Sequence, residues 1–380
     1  MASIEVPPLA EVLGQIPDVR HARGKRHPLS AVLLLACVAM LGGARSESAI
    51  AEWGANYGPE WRRRLGLTHA RGPSQATIHR LFRRLDVALL ERHLGQWAQQ
   101  VLACLPAIPT ADGVCPLEGI ALDGKTLRGS RKRGAVDTHL LSAVSQRLGV
   151  VLGQVAVADK TNEIPTAPEL LAQVVLTGRV VTVDALLTQT ALAETILAQG
   201  GDYLMVVKDN QPTLAADLAT LFADPDAPVM RAEETAVHGG CCASRRLLAS
   251  TELVGYVRWP EVQQVLAMER TVVHKRTGEV RREWAYAVTS LPPTRATPAQ
   301  LLTLWREHWA IENKLHYVRD VTFDEDRASV WKDRIPQVMA ALRNATIGLA
   351  RLSGQTNIAA ACRHFAAQPA AALALVGLSP

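Results

Sequence analysis

The rhythm of hydrophobic and polar positions changes along the chain. Over residues 1–105 it is helical. LSAVLLLACVAML (Leu29–Leu41) is an unbroken apolar run of 13 residues, preceded by His27-Pro28 and followed by Gly42-Gly43, and it predicts a buried helix. SAIAEWGANY predicts a second helix. A third segment, PSQATIHRLFRRLDVALLERHLGQW, opens at Pro73-Ser74, a favourable helix start. Along it Ile78, Leu81 and Leu85 share one face, and Arg80, Arg83 and Arg84 share another. That basic face suits water or a row of phosphates.

Past residue 105 the pattern shortens. PAIPTADGVCP (106–116) reads as a linker. Strand-like runs follow: GIALD (119–123), HLLSAVSQ (139–146) and VVLGQVAVA (150–158), the last two joined by the hairpin turn RLG. Then come a helix through NEIPTAPELLAQVV, the strand VVTVD (180–184), a helix through TQTALAETILAQ and the strand YLMVV (203–207). Three strands, helix, strand, helix, strand is the order of the ribonuclease H-like α/β fold, an antiparallel meander extended by parallel strands. RRLLASTELVGY, VQQVLAMERTVVHK and REWAYAVTSL, the latter two separated by the turn RTGEV, predict a β-rich insertion over 215–297. A long helix resumes near Thr297 and runs through LLTLWREHWAIENKLHYVRDV, and an Ala-rich helical tail ends the chain. The expected division is a helical N-terminal domain (1–105), linker (106–116), first part of the core (117–214), insertion (215–297) and last part of the core (298–380).

Composition adds constraints. A chain of 380 residues exceeds one simple core, and 48% hydrophobic with 20% charged residues suits a globular protein. The net charge of +5 is small, so the placement of cations matters more than their sum. The six cysteines form no CxxC pair, which argues against a zinc cluster or disulfide scaffold and for a reducing cytoplasm. The longest apolar run falls short of the roughly 20 residues a membrane span needs, so no membrane partner is expected.

Three carboxylates stand at telling places. Asp123 closes the first predicted strand, Asp184 closes the fourth, and Glu312 lies on the last long helix. Singly these are a turn Asp before Gly, a helix cap and a surface Glu. Neighbouring strands would bring the two aspartates together, and the helix can deliver the third acid. Such hard oxygen ligands suit Mg²⁺ or Mn²⁺. Two ions about 4 Å apart serve in-line attack on a phosphodiester. Beyond Asp123 come Lys125, Arg128, Arg131, Lys132 and Arg133, placed to meet a polyanion. Lys208, Asn210 and Gln211 follow a strand end beside the same expected site. Lys160, Asn162 and Glu163 open a helix, for which capping is the simpler reading. His308, Glu312 and His316 recur every four residues, a face that would also suit zinc, but zinc there leaves both aspartates without a task. Trp305 and Trp309 are one turn apart and suit either a core or stacking on a base.

These residues carry a family resemblance. ALDGKTLRGS (121–130), HLLSAVSQ, GVVLGQVAVADKTNEIP (149–165), VVTVDALLTQ (180–189), GGDYLMVVKDNQPTL (200–214) and REHWAIENKLHYVRDVTFDEDRA (306–328) occur in an order that resembles bacterial insertion-sequence transposases of the DDE type. The likeness is to the ISAs1 (H-repeat-associated) group of the IS4-like class. IPDVRHARGKRHPLSAVLLLACVAMLGGARSESAIAEW is similar to that group's associated helical domain. The resemblance implies a ribonuclease H-like core, Asp123, Asp184 and Glu312 as a triad holding two Mg²⁺ ions, and cleavage with strand transfer at the ends of a mobile element. It also implies double-stranded DNA as partner, a homodimer on that DNA, and a cytoplasmic, nucleoid-associated protein. Where the wider class places Tyr, Arg and Lys around the Glu, this chain has Trp305, His308 and Arg319. With Lys125, Arg128, Lys208, Gln211, Arg80, Arg83 and Arg84 these are the expected DNA contacts. HGGCCASRR (238–246) departs from the group's more acidic segment. A domesticated metal-dependent nuclease and a non-catalytic DNA-binding regulator are the alternatives.

Overall fold

The computed structural model describes residues 8–18, 20, 25–105, 117–130, 138–157, 163–328 and 333–378. The expected linker 106–116, the cations Arg131, Lys132 and Arg133, and Lys160 with Asn162 lie outside the described residues. In chain order the helices are α1 (Leu9–Gly14), α2 (Leu29–Leu41), α3 (Glu47–Asn56), α4 (Pro59–Arg64), α5 (Gln75–Arg84), α6 (Val87–Cys104), α7 (Glu163–Leu171), α8 (Thr190–Ala198), α9 (Pro212–Ala223), α10 (Pro298–His308), α11 (Ile335–Leu352), α12 (Ile358–Ala367) and α13 (Pro369–Leu375). The strands are β1 (Glu118–Leu127), β2 (Thr138–Ser145), β3 (Val151–Val157), β4 (Arg179–Val183), β5 (Asp202–Val207), β6 (Met230–His238), β7 (Cys241–Ser250), β8 (Gln264–His274) and β9 (Val280–Thr289). No helix among the described residues is long and apolar enough to cross a membrane.

The chain divides into two compact units, and the division falls inside β1. A helical unit comprises Met1–Pro106, Gly124–Val174 and Ala310–Pro380. Its centre is α2, which packs against α1, α3 and α11. Leu33, Leu35 and Met40 are 0% exposed, as a helix apolar all round requires. The third predicted segment is two helices here. Ser74 caps α5 by accepting the Thr77 N–H, and Asp86 caps α6 by accepting the Leu89 N–H, so the break between them has its own start signal. Strands β2 and β3 pair antiparallel, and the local strand order is β3-β2-β1. The long predicted helix loses α geometry after α10. Glu312–His316 and Val318–Thr322 are π-helical, a wider winding that recurs at functional sites. The Arg351 guanidinium donates to the carbonyls of Gly149 and Lys314, and Lys314 Nζ donates to the Gln146 carbonyl at 2.8 Å, tying this stretch to the β2–β3 turn.

The sheet unit comprises Ala107–Asp123 and Val175–Trp309. Its strand order is β1-β4-β5-β9-β8-β7-β6. The β1–β4 and β4–β5 pairs are parallel, and β5–β9 is antiparallel. With β3-β2-β1 this is the ribonuclease H-like order the sequence predicts. The insertion's four strands are not a separate layer: β9 pairs directly with β5 and continues the same sheet. Gly239 and Gly240, at φ 55° and 80°, form the tight β6–β7 turn that only left-handed residues close well. One core joins Leu204, Leu247, Leu266 and Ala287 of the sheet with Leu301, Leu304 and Trp305 of α10.

Candidate active site

In the sheet unit the two aspartates leave neighbouring strands at one level. Leu122 is the last β1 residue opposite β4, facing Val183; Asp123 comes next within β1, and Asp184 is the first residue past the end of β4. Parallel strands lie about 4.8 Å apart, so two carboxylates start side by side. Asp123 does not end its strand as predicted. β1 continues to Leu127, and only the pairing to β4 stops there.

The loop after Asp184 is fixed from several sides. Asp184 Oδ1 accepts the Leu187 N–H at 3.2 Å, and the Thr188 hydroxyl lies 2.9 Å from the Asp184 carbonyl and 2.6 Å from that of Val206. The Asn210 amide donates to the carbonyls of Ala185 and Thr188, and Gln211 Nε2 donates to the Thr188 carbonyl at 3.2 Å. Gln211, expected at DNA, thus braces the loop that carries Asp184, while Lys208 beside it is exposed. His308 is 3% exposed, with Nδ1 3.0 Å from the Thr182 hydroxyl on β4. Burial lowers its pKa to about 4, so it is uncharged at neutral pH. Trp305 is 1% exposed within the core, whereas Trp309 is exposed.

In the helical unit Glu312 projects outward, its side chain 61% exposed. His316, one π turn on, is buried and places Nδ1 3.0 Å from Glu312 Oε2. That hydrogen bond is the main reason the Glu312 pKa is lowered, with the charges of His316 and Lys125 adding to it against burial. Lys125, on β1 two residues past Asp123, is buried and donates from Nζ to Asp320 Oδ2 at 2.6 Å. It therefore fastens β1 to the π-helical stretch that bears Glu312. Arg319 is 0% exposed, and it and Arg343 clamp the Glu325 carboxylate at 2.8 and 2.7 Å. Arg128 is open to solvent, its side chain 80% exposed and 3.9 Å from Asp326. Arg80, Arg83 and Arg84 are all exposed on α5, and Arg83 meets Asp333 at 2.5 Å. Of the expected contacts, then, the exposed cations are Arg80, Arg83, Arg84, Arg128 and Lys208, and Lys125, Trp305, His308 and Arg319 have partners inside the protein.

Residues 115–346 match the family described as Transposase DDE domain, and residues 10–98 match the one described as DDE_Tnp_1-associated. The chain is 28% identical to an H repeat-associated putative transposase, YhhI, of Escherichia coli K12, across 91% of both chains. It is 29% identical to a putative protein, YbfL, of the same organism, again across 91% of both. A piggyBac transposase synaptic complex with hairpin DNA aligns over 98% of this chain and 78% of that one, at 12% identity and a TM-score of 0.43.

Proposed function

Since the chain belongs to the DDE transposase family and is thereby an enzyme that cuts DNA and transfers strands, we propose that Asp123, Asp184 and Glu312 are its metal-holding carboxylates, acting at the ends of an insertion sequence. The paired departure of Asp123 and Asp184 from parallel neighbours β1 and β4 carries this reading. The donor set fits a hard divalent ion. Both aspartates offer carboxylate oxygen, and Glu312 is held in its ionised form by His316. Bound Mg²⁺ or Mn²⁺, two ions in the full site, supplies Lewis acidity and an activated oxygen nucleophile.

The chain's own residues then have separate tasks. The Leu187 N–H fixes the rotation of the Asp184 carboxylate, and Thr188, Asn210 and Gln211 hold its loop still. His316 aims Glu312 and keeps it charged. The exposed Arg80, Arg83, Arg84, Arg128 and Lys208 meet phosphates of double-stranded DNA, where cations fix position rather than sequence. Two ends must be joined, so the active species is a homodimer on DNA in the cytoplasm.

The test is Asp184→Asn on a duplex carrying an element end. The amide oxygen still accepts from Leu187, so folding and end binding are expected to persist while Mg²⁺-dependent nicking disappears. Nicking at the wild-type rate would remove the mechanism. The same assay separates cutting followed by joining from cutting alone, the mark of a domesticated nuclease.

A further inference from the structure

Next to Asp123 lies a buried polar chain that the proposed chemistry does not use. Thr126 on β1 places its hydroxyl 2.9 Å from His139 Nδ1 on β2. His139 Nε2 in turn donates to Glu163 Oε1, the first residue of α7, at 2.6 Å. His139 is 3% exposed and Glu163 4%. The chain links three elements, and neither ionisable group reaches solvent, so neither can touch DNA.

It meets β1 twice, at Thr126 through that hydrogen bond and at Gly124 through close packing. A Cβ on Gly124 would stand 2.4 Å from Glu163 Oε1 and 2.7 Å from His139 Nε2. Gly124 is not among the glycines with positive φ, so it is required for room rather than for backbone freedom. The strand thus runs directly against the imidazole–carboxylate pair, one peptide bond after Asp123. An aliphatic pair would pack there without the desolvation that two buried ionisable groups suffer. What the polar pair adds is direction: Glu163 orients His139 at 2.6 Å, and His139 holds β1 through Thr126 at 2.9 Å, which fixes the strand beside Gly124 more sharply than apolar contact does.

We propose that Glu163, acting through His139, is a positioning residue for Asp123, clamping β1 at Gly124 and so setting where the preceding carboxylate is presented. The proposal rests on Asp123 being a metal-holding residue. It also gives Glu163 a task other than capping.

The experiment titrates Mn²⁺ alone into the full chain, read by electron paramagnetic resonance, with far-ultraviolet circular dichroism as the check on folding. Glu163→Ala is expected to weaken Mn²⁺ binding about tenfold, the usual effect of removing a group that orients a ligand. Glu163→Gln keeps an oxygen that accepts from His139 and is expected to stay close to wild type. Gly124→Ala forces the pair aside and is expected to weaken binding like Glu163→Ala. Wild-type Mn²⁺ affinity in folded Glu163→Ala would overturn the proposal. Should that variant not fold, Gly124→Ala decides in the same way. Asp123→Asn separates the two readings. If it binds Mn²⁺ as wild type does, the role of Asp123 itself fails. If it loses Mn²⁺ while folded Glu163→Ala or Gly124→Ala does not, only the positioning role fails.

Discussion

The two units use the same charged side chains in opposite surroundings. In the helical unit Arg319, Glu325 and Arg343 are 0, 3 and 2% exposed and close on one another. In the sheet unit Arg270 meets Glu283 at 3.4 Å with both side chains nearly half exposed, and Arg281 reaches the same carboxylate from solvent. The buried group was assembled against a large desolvation cost and tolerates no missing member, whereas the exposed one exchanges protein partners for water with little change. What differs is the consequence of losing a partner more than the attraction itself.

The sharpest way to break this contrast is Glu325→Ala. It strands two buried guanidinium groups and is expected to cost about 3–5 kcal/mol in urea unfolding. A cost as small as that of a surface pair would show that the cluster is wet. Next in size are opposite pH responses. Burial pushes Glu91 up to about 8 from its ordinary 4.5, despite hydrogen bonds from Gln154 and Gln337. The folded helical unit then holds a proton that the unfolded chain releases. Its stability is therefore full near pH 4.5 and declines as pH rises toward about 8, by up to about 1.4 kcal/mol per unit. Glu91→Gln should flatten that slope. His308 in the sheet unit works the other way. Held near 4 against an ordinary 6.5, its contribution is full above 6.5 and is lost as pH falls toward about 4. Hydrogen exchange at pH 5 and pH 8 would read the two units separately, and a slope of the opposite sign in either unit would refute that unit's assignment. The smallest effect is Glu283→Ala, expected within about 1 kcal/mol and smaller still in high salt.

The sequence announced some of this plainly. α2 spans Leu29–Leu41 as predicted, because its apolar run is bracketed by Pro28 and Gly42. The meander, the parallel extension and the placing of Asp184 just beyond β4 also follow the pattern of residues. Other features were hidden because their partners are remote. Arg319 reads as a cation for DNA until Glu325 and Arg343 are brought to it across a π-helical stretch that no helical period anticipates. Glu163 reads as a helix opener, which it is, yet its carboxylate serves His139 from 24 positions away. That β9 would join β5 depends on a free sheet edge, which alternation along one strand cannot disclose.

The order β5-β9-β8-β7-β6 also sets a clock for synthesis. The strand that seals β5 is the last of its group to be made, after β6, β7 and β8. A ribosome adding roughly 5–20 residues per second leaves β5's open flank waiting several seconds for its mate. A growing chain must keep that flank from pairing with a stranger, so slow codons between Val207 and Val280 would lengthen the interval in which newly made copies stick together.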